Sequence, residues 1–409
     1  LNRRPAGPID VAPRHRRVAV FQGNDRQKGD PMAGSARQRA WQIDLFRGLA
    51  LVMIFINHVP DNPLVVLTSA NYGFSDAAEG FVLMAGIAAG LVFWRKAEAE
   101  GAAGTFARAW KRAFELYSAH LLIVLLAAAF VAWVATEEGD PRLLGWVGLG
   151  PLFDDTAAAL VGTVLLGHQP NFLDILPLYI VLLLLVPVML PLAGRAPLVL
   201  LALSGAVWAG ANLLAWNAPT FPSEGGWLFN PLAWQFLFAI GMVIGVRLAR
   251  GLPVVPRSNW LLAAAVLYLV IACVVILDLE AVWPTLPLPW FLYGLDKTFL
   301  SLPRLLHVLA LALVLARLPV AQAIAWVDRP GLLTLLGRHA LPVFCLGSVL
   351  AVAVGLWRFV IGADPWLQVA MVLAGLALQA GLAMLLDWTE RSRAAVARAA
   401  AVPAGKGGA

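Results

Sequence analysis

Cysteine is nearly absent from this chain: 409 residues contain two, Cys273 and Cys345. Both lie inside apolar runs, where a thiol is most simply a small core side chain, and they say little about redox compartment. Also missing are a Walker phosphate loop, a dinucleotide glycine fingerprint, zinc-ligand spacing and a G-x-S-x-G elbow, so no metal, nucleotide or hydrolase site of those kinds is indicated. Alternating segments of about ten residues are missing too, which argues against a membrane β-barrel. No small-residue cleavage site follows the first apolar run, so that run reads as an uncleaved anchor.

What the chain has is apolar residue, 60% of the total, where a soluble domain has about half. These residues recur in runs of about 18–25, the length a helix needs to cross roughly 30 Å of hydrocarbon. A helix satisfies its own backbone polar groups in lipid. The expectation is an all-α, polytopic bundle of about ten transmembrane helices, near 43–60, 75–94, 113–135, 171–193, 196–216, 230–250, 259–279, 302–318, 339–361 and 366–387. The short apolar piece near 155–167 reads as interfacial or re-entrant.

Net charge is +6, and its distribution excludes a nucleic-acid partner. With these spans, alternate loops collect the basic residues, while the other side receives only Arg142, Lys297, Arg304 and Arg358. The positive-inside rule then places both termini in the cytoplasm. Residues 1–40 are expected to be a disordered basic tail, 41–390 the transmembrane domain, and 391–409 a short cytoplasmic tail. Met32 is a second candidate start, which would make the first 31 residues an upstream extension.

Ionisable groups in a bilayer are costly and mark candidate sites. Here they gather at two depths. Asp44, Arg47, Glu115, Tyr117 and His120 fall toward the inner side, beside the basic loop from Arg95 to Arg112. Toward the outer side fall His58, Asp61, Asn62, Asp76, Glu79, Asp174, Tyr179, Asn230, Trp234, Gln235, Lys297, Arg304 and His307. A shared outward cavity accounts for that second group. Plainer readings stand beside this one. Asp44 and Arg47 also read as an interfacial pair one turn apart. The basic loop also reads as a topology signal touching anionic lipid. His58 also reads as an interfacial histidine, Asp76 and Glu79 as helix-capping carboxylates, and Trp234, Trp283 and Trp290 as belt aromatics.

The strings WQIDLFRGLALVMIFINHVPDNPL (41–64) and NYGFSDAAEGFVLMAGIAAGLVF (71–93) resemble the start of the OpgC family. FNPLAWQFLFAIG (229–241), DKTFLSLPRLLHVLALA (296–312) and LGRHALPVFCLGSVL (336–350) continue the resemblance in order, over about 41–387. These are membrane acyltransferases that place succinyl groups on osmoregulated periplasmic glucans, related to the wider acyltransferase-3 group. The resemblance implies a bacterial inner-membrane enzyme with acyl-CoA, here succinyl-CoA, as co-substrate and no permanently bound cofactor. The glucan acceptor and the lipid bilayer are its expected partners, with homo-oligomers or association with glucan-synthesis proteins left open.

By the same resemblance His58 is the catalytic residue, either as base toward a sugar hydroxyl or as transient acyl acceptor. Asp76, Glu79 or Asp174 would orient its imidazole. Arg47, Arg108, Arg112 and Arg338 would meet the phosphates of CoA. Arg304, with His307 and Lys297, would meet a succinyl carboxylate, and Trp234, Trp227 and Tyr72 would stack on sugar; Gln235 stands at the same level. Competing classes are acetylation of another exported polysaccharide, a glycan transporter or flippase, and a structural partner of a synthase. A transporter predicts internal repeats, and no convincing repeat is visible.

Overall fold

The computed structural model describes residues 31–277, 292–328, 331–362 and 364–401. Its helices are α1 (Pro31–His58), α2 (Ala77–Glu138), α3 (Pro151–Asp154), α4 (Thr156–Val164), α5 (Ile175–Arg195), α6 (Pro197–Leu214) and α7 (Pro231–Ala249). They continue as α8 (Asn259–Leu277), α9 (Leu302–Arg317), α10 (Val320–Val327), α11 (Leu332–Arg338), α12 (Ala340–Ile361) and α13 (Pro365–Ala401). Among the described residues there is no strand, only an isolated bridge between Pro219 and Gly226.

Among the described residues, seven helices are long and apolar enough to cross a membrane, or eight if α9 and α10, bent by 74°, form one span. α1 is not among the seven, because its apolar run begins beside Asp44 and Arg47. Two expected spans, 75–94 and 113–135, fall in the single element α2. A straight helix of 62 residues would be about 90 Å long, some three times the hydrocarbon thickness. Gly101 breaks it, with φ 71° and ψ −168°. Arg108 Nε reaches back across that break to Glu100 at 2.8 Å.

Helix ends also differ from the expectation. α1 begins at Pro31, inside the segment expected to be disordered, and α13 runs to Ala401, inside the expected C-terminal tail. The piece near 155–167 is the nine-residue α4, too short to cross. Residues 1–30 lie outside the described residues, as do Trp283 and Trp290.

α2, α5 and α7 form the centre. The most hydrophobic windows of α5 and α7 are 56% buried, against 17% for α8. Lipid offers no hydrophobic drive between helices, so close packing must supply it, and small residues allow that. α2 and α7 each carry two glycines four residues apart, Gly86 with Gly90 and Gly241 with Gly245. A Cβ at Gly86 would sit 2.3 Å from the Phe238 carbonyl oxygen, and one at Gly245 would sit 2.1 Å from that of Ile87. The two backbones therefore touch. α1 crosses α11 as closely, since a Cβ at Gly48 or Gly337 would lie 1.8 Å from a facing carbonyl oxygen.

Candidate active site

The larger polar cluster is built on the start of α2. Asp76 caps that helix: its Oδ1 accepts from the Ala78 amide at 2.8 Å, and Glu79 Oε2 accepts from the Asp76 amide at 2.9 Å. Two cations complete the group. Lys297 Nζ lies 2.7 Å from Asp76, and Arg304, in the first turn of α9, lies 2.5 Å from Glu79 and 3.3 Å from Asp76. Burial alone would push the Asp76 carboxyl up, but Lys297 and Arg304, with hydrogen bonds from Lys297 and Ala78, hold it at about 2.

His307, one turn beyond Arg304, is pinned as well. Its Nδ1 is 2.7 Å from Ser75 Oγ, and its ring packs so closely on Gly73 that a Cβ there would meet Nε2 at 2.1 Å. Capping and ion pairing thus occupy Asp76, Glu79 and Arg304 with one another, with Lys297 and with the backbone, and Ser75 holds His307.

Three expected surface roles change. Trp234 is fully buried, and its indole Nε1 donates to the Lys297 carbonyl at 3.1 Å. It holds the Lys297 turn in place and presents no face to a sugar or to lipid. Gln235 is buried and donates to the carbonyls of Ser204 and Leu232. Trp227 is buried too, whereas Tyr72 is exposed.

His58 ends α1. Asn62 closes that end by donating to the carbonyls of Ile56 at 2.8 Å and Val59 at 2.5 Å. The His58 ring lies 4.7 Å from the Phe172 ring, and it feels the charges of Lys297 and Asp76. Asp61 turns away to pair with Arg358. Asp174 follows Phe172 by two residues, is buried, and makes no side-chain cap on α5. Burial pushes its carboxyl up to about 6, with a backbone hydrogen bond and the Lys297 charge only partly offsetting this. Of the three carboxylates considered for His58, two are committed to Lys297 and Arg304, and Asp174 is the one outside that network.

Toward the other end of α1, Arg47 lies 3.2 Å from Asp44 and 3.4 Å from the Gly337 carbonyl oxygen. Arg338 pairs with Asp387 at 2.7 Å, and Arg391 takes the same carboxylate at 2.5 Å. Arg47 and Arg338 are thus brought together where α1, α11 and α13 meet. Arg108 and Arg112 sit on α2 beyond its break, each paired with a neighbouring glutamate, Glu100 and Glu115. Tyr117 and His120 do not join Asp44 and Arg47. The Tyr117 hydroxyl donates to Val164, and His120 lies within reach of His168.

The sequence reading passed over Ser348 and Gln379. Both are buried, and with His58 they line a cavity between α1, α12 and α13. Their only signal was a polar letter alone in an apolar run. Among the described residues no three His, Cys, Asp or Glu side chains are arranged to hold a metal ion.

The spanning helices and the buried polar groups between them define an integral membrane protein with an internal site. A family model described as OpgC protein matches residues 39–391, most of the chain, while no curated protein and no solved structure matches it. The chain belongs to the OpgC family. Membership points to a membrane acyltransferase for glucans.

Proposed function

We propose that the chain is an O-acyltransferase of the bacterial inner membrane, moving a succinyl or similar acyl group from cytoplasmic acyl-CoA to hydroxyls of a periplasmic glucan. One observation carries this reading. Arg47, Leu51, Ile54, Phe55 and His58 recur at helical spacing and form a single stripe along α1, basic at one end and carrying the imidazole at the other. Eleven residues at about 1.5 Å each separate the two ends by about 16 Å. That span suits the extended pantetheine arm of a CoA thioester, with its phosphates at the arginines and its acyl group at the histidine.

In this reading both termini are cytoplasmic. Counting α1, both arms of α2 and the bent pair α9–α10 as spans brings the total to about ten. Arg47, Arg338 and Arg391 face the phosphates, Arg being shaped for that partner. His58 takes the proton of the acceptor hydroxyl, or accepts the acyl group and passes it on, while Asp174 orients the ring. A succinyl carboxylate would meet Lys297. Lys297, paired among the described residues with Asp76 alone, is the more exposed of the two cations, whereas Arg304 is buried and held by both Glu79 and Asp76.

The test is mass spectrometry of periplasmic glucans from cells lacking the gene, complemented with wild type or with His58→Ala at equal protein level. Succinyl groups should vanish in the deletion and return with wild type alone. Glucans that keep their substituents in the deletion would refute the proposed acceptor, and glucans retained in the cytoplasm would favour a transporter.

A further inference from the structure

Building on the acyltransferase reading, we propose that Ser348 and Gln379 are positioning groups for the donor's thioester carbonyl, with the Ser348 hydroxyl donating to the carbonyl oxygen opposite His58. The cavity between α1, α12 and α13 is where this contact forms. Leu51 and His58 line it from α1, Phe344, Gly347 and Ser348 from α12, and Gln379 from α13. Its volume is about 10 Å³, room for one water-sized group and so of the size of a carbonyl oxygen. It lies on the Arg47-to-His58 stripe, because Leu51, Ile54, Phe55 and His58 all face it.

The hydroxyl itself supplies the second observation. A buried serine or threonine in a helix ordinarily donates to the carbonyl four residues back. Thr105 and Thr163, both buried, do so here, at 3.0 Å and 2.8 Å. Ser348 is 2% exposed, and its Oγ has no hydrogen-bond partner. A buried donor left unmade costs stability, so such a group is kept where something else satisfies it. Gln379, equally buried, donates to the Gly375 carbonyl at 3.3 Å, and its amide carries two N–H donors. Gly347 keeps the space open, for a Cβ there would stand 3.0 Å from Gln379 Oε1. The site therefore has a hydroxyl without a partner and a nearby amide, facing an imidazole across a space of carbonyl size.

In the step itself the acceptor hydroxyl oxygen, or first the His58 nitrogen, forms a bond to the thioester carbon. The carbonyl oxygen gains negative charge, and the Ser348 O–H stabilises it. The C–S bond then breaks and the sulfur leaves as thiolate. In the direct route His58 carries the hydroxyl proton to that thiolate. In the two-step route the acyl–imidazole C–N bond breaks as the acceptor oxygen bonds to the carbonyl carbon, the hydroxyl proton passing to the released imidazole or the thiolate. No oxidant or further reactant is needed.

The experiment uses the full chain in lipid nanodiscs with succinyl-CoA, acetyl-CoA and added periplasmic glucan, reading free thiol release, binding of free CoA and the thermal midpoint. Ser348→Ala should lower turnover roughly 100-fold. It should leave free-CoA binding unchanged and keep or raise the midpoint, because the hydroxyl has no partner to lose. Ser348→Thr, which keeps the hydroxyl, should recover most of the turnover, and Gln379→Leu should lower it about tenfold, the scale of one neutral hydrogen bond. Wild-type turnover in Ser348→Ala would overturn the proposal, as would a loss of turnover accompanied by a fall in midpoint or in free-CoA binding. If the wild-type protein released no thiol from either donor, the acyltransferase reading would fail first and take this proposal with it.

Discussion

Two polar regions stand near each other at the end of the bundle where α1 stops and α2 starts. In the cluster at the start of α2, Asp76, Glu79, Lys297 and Arg304 neutralise one another, and His307 is held by Ser75. In the cavity by α12 there is no formal carboxylate or ammonium, yet the Ser348 hydroxyl lacks a partner and the His58 ring is free of any ion pair with a carboxylate among the described residues. The first region spends its charge on holding α2, α9 and the Lys297 turn together. The second keeps hydrogen-bonding capacity in reserve. On the proposed reading, density of charge is the poorer guide to the chemistry and unsatisfied polarity beside His58 the better one.

The comparison breaks if the two regions respond alike to mutation. His58→Ala should lower thiol release from acyl-CoA by about 100- to 10,000-fold, the range of a lost general base, with the thermal midpoint in detergent held near that of wild type. Arg304→Met should do the reverse. Removing one partner of a buried ion pair costs about 3–5 kcal/mol, so the midpoint should fall sharply. The double variant Arg304→Met, Glu79→Leu should recover part of that loss, and a failure to recover would mean Arg304 has a task beyond Glu79.

Gly241→Ala tests the scaffold apart from both regions. Its methyl would stand 2.4 Å from the Leu83 carbonyl oxygen, and overpacking of this kind costs about 1–3 kcal/mol, read as a lower midpoint with residual activity per folded molecule intact. A smaller effect is expected where α1, α11 and α13 meet. Arg338→Gln should raise KM for acyl-CoA several-fold with kcat little changed, and the difference should shrink at high salt because Arg338 is half exposed. Last, Asp174 lies before α5 with its carboxyl pushed up to about 6, so its charge is lost as pH falls through that value. If its anion orients His58, turnover should decline below about pH 6, and Asp174→Asn should lower the plateau while removing that share of the decline.

Much of the bundle was legible because lipid demands long apolar helices, and those runs survive as plain text in the chain. The continuity of α2 was not. Its middle, AEAEGAAGTFARAW, is charged enough to read as a loop, while alanine, glutamate and arginine are also good helix formers, so only Gly101 interrupts it. The polar groups of the outer level could be seen, since charges in apolar runs are rare. Their pairing could not, because Glu79 and Arg304 are 225 residues apart and only the packing of α9 on α2 joins them. Trp234 shows the same limit: a belt indole and a buried one look identical in sequence, and what separates them is the Lys297 carbonyl waiting inside. Ser348 and Gln379 escaped notice because they carry no charge.

The stripe on α1 also acts as a ruler. Arg47 and His58 are fixed to one helix, so on the proposed reading the reach of the donor is set by a residue count. Four residues inserted between them would lengthen the gap by about 6 Å and turn His58 by only about 40°. On the proposed reading, such a variant would keep its imidazole on the same face, but a donor held at the arginines would fall about 6 Å short of it.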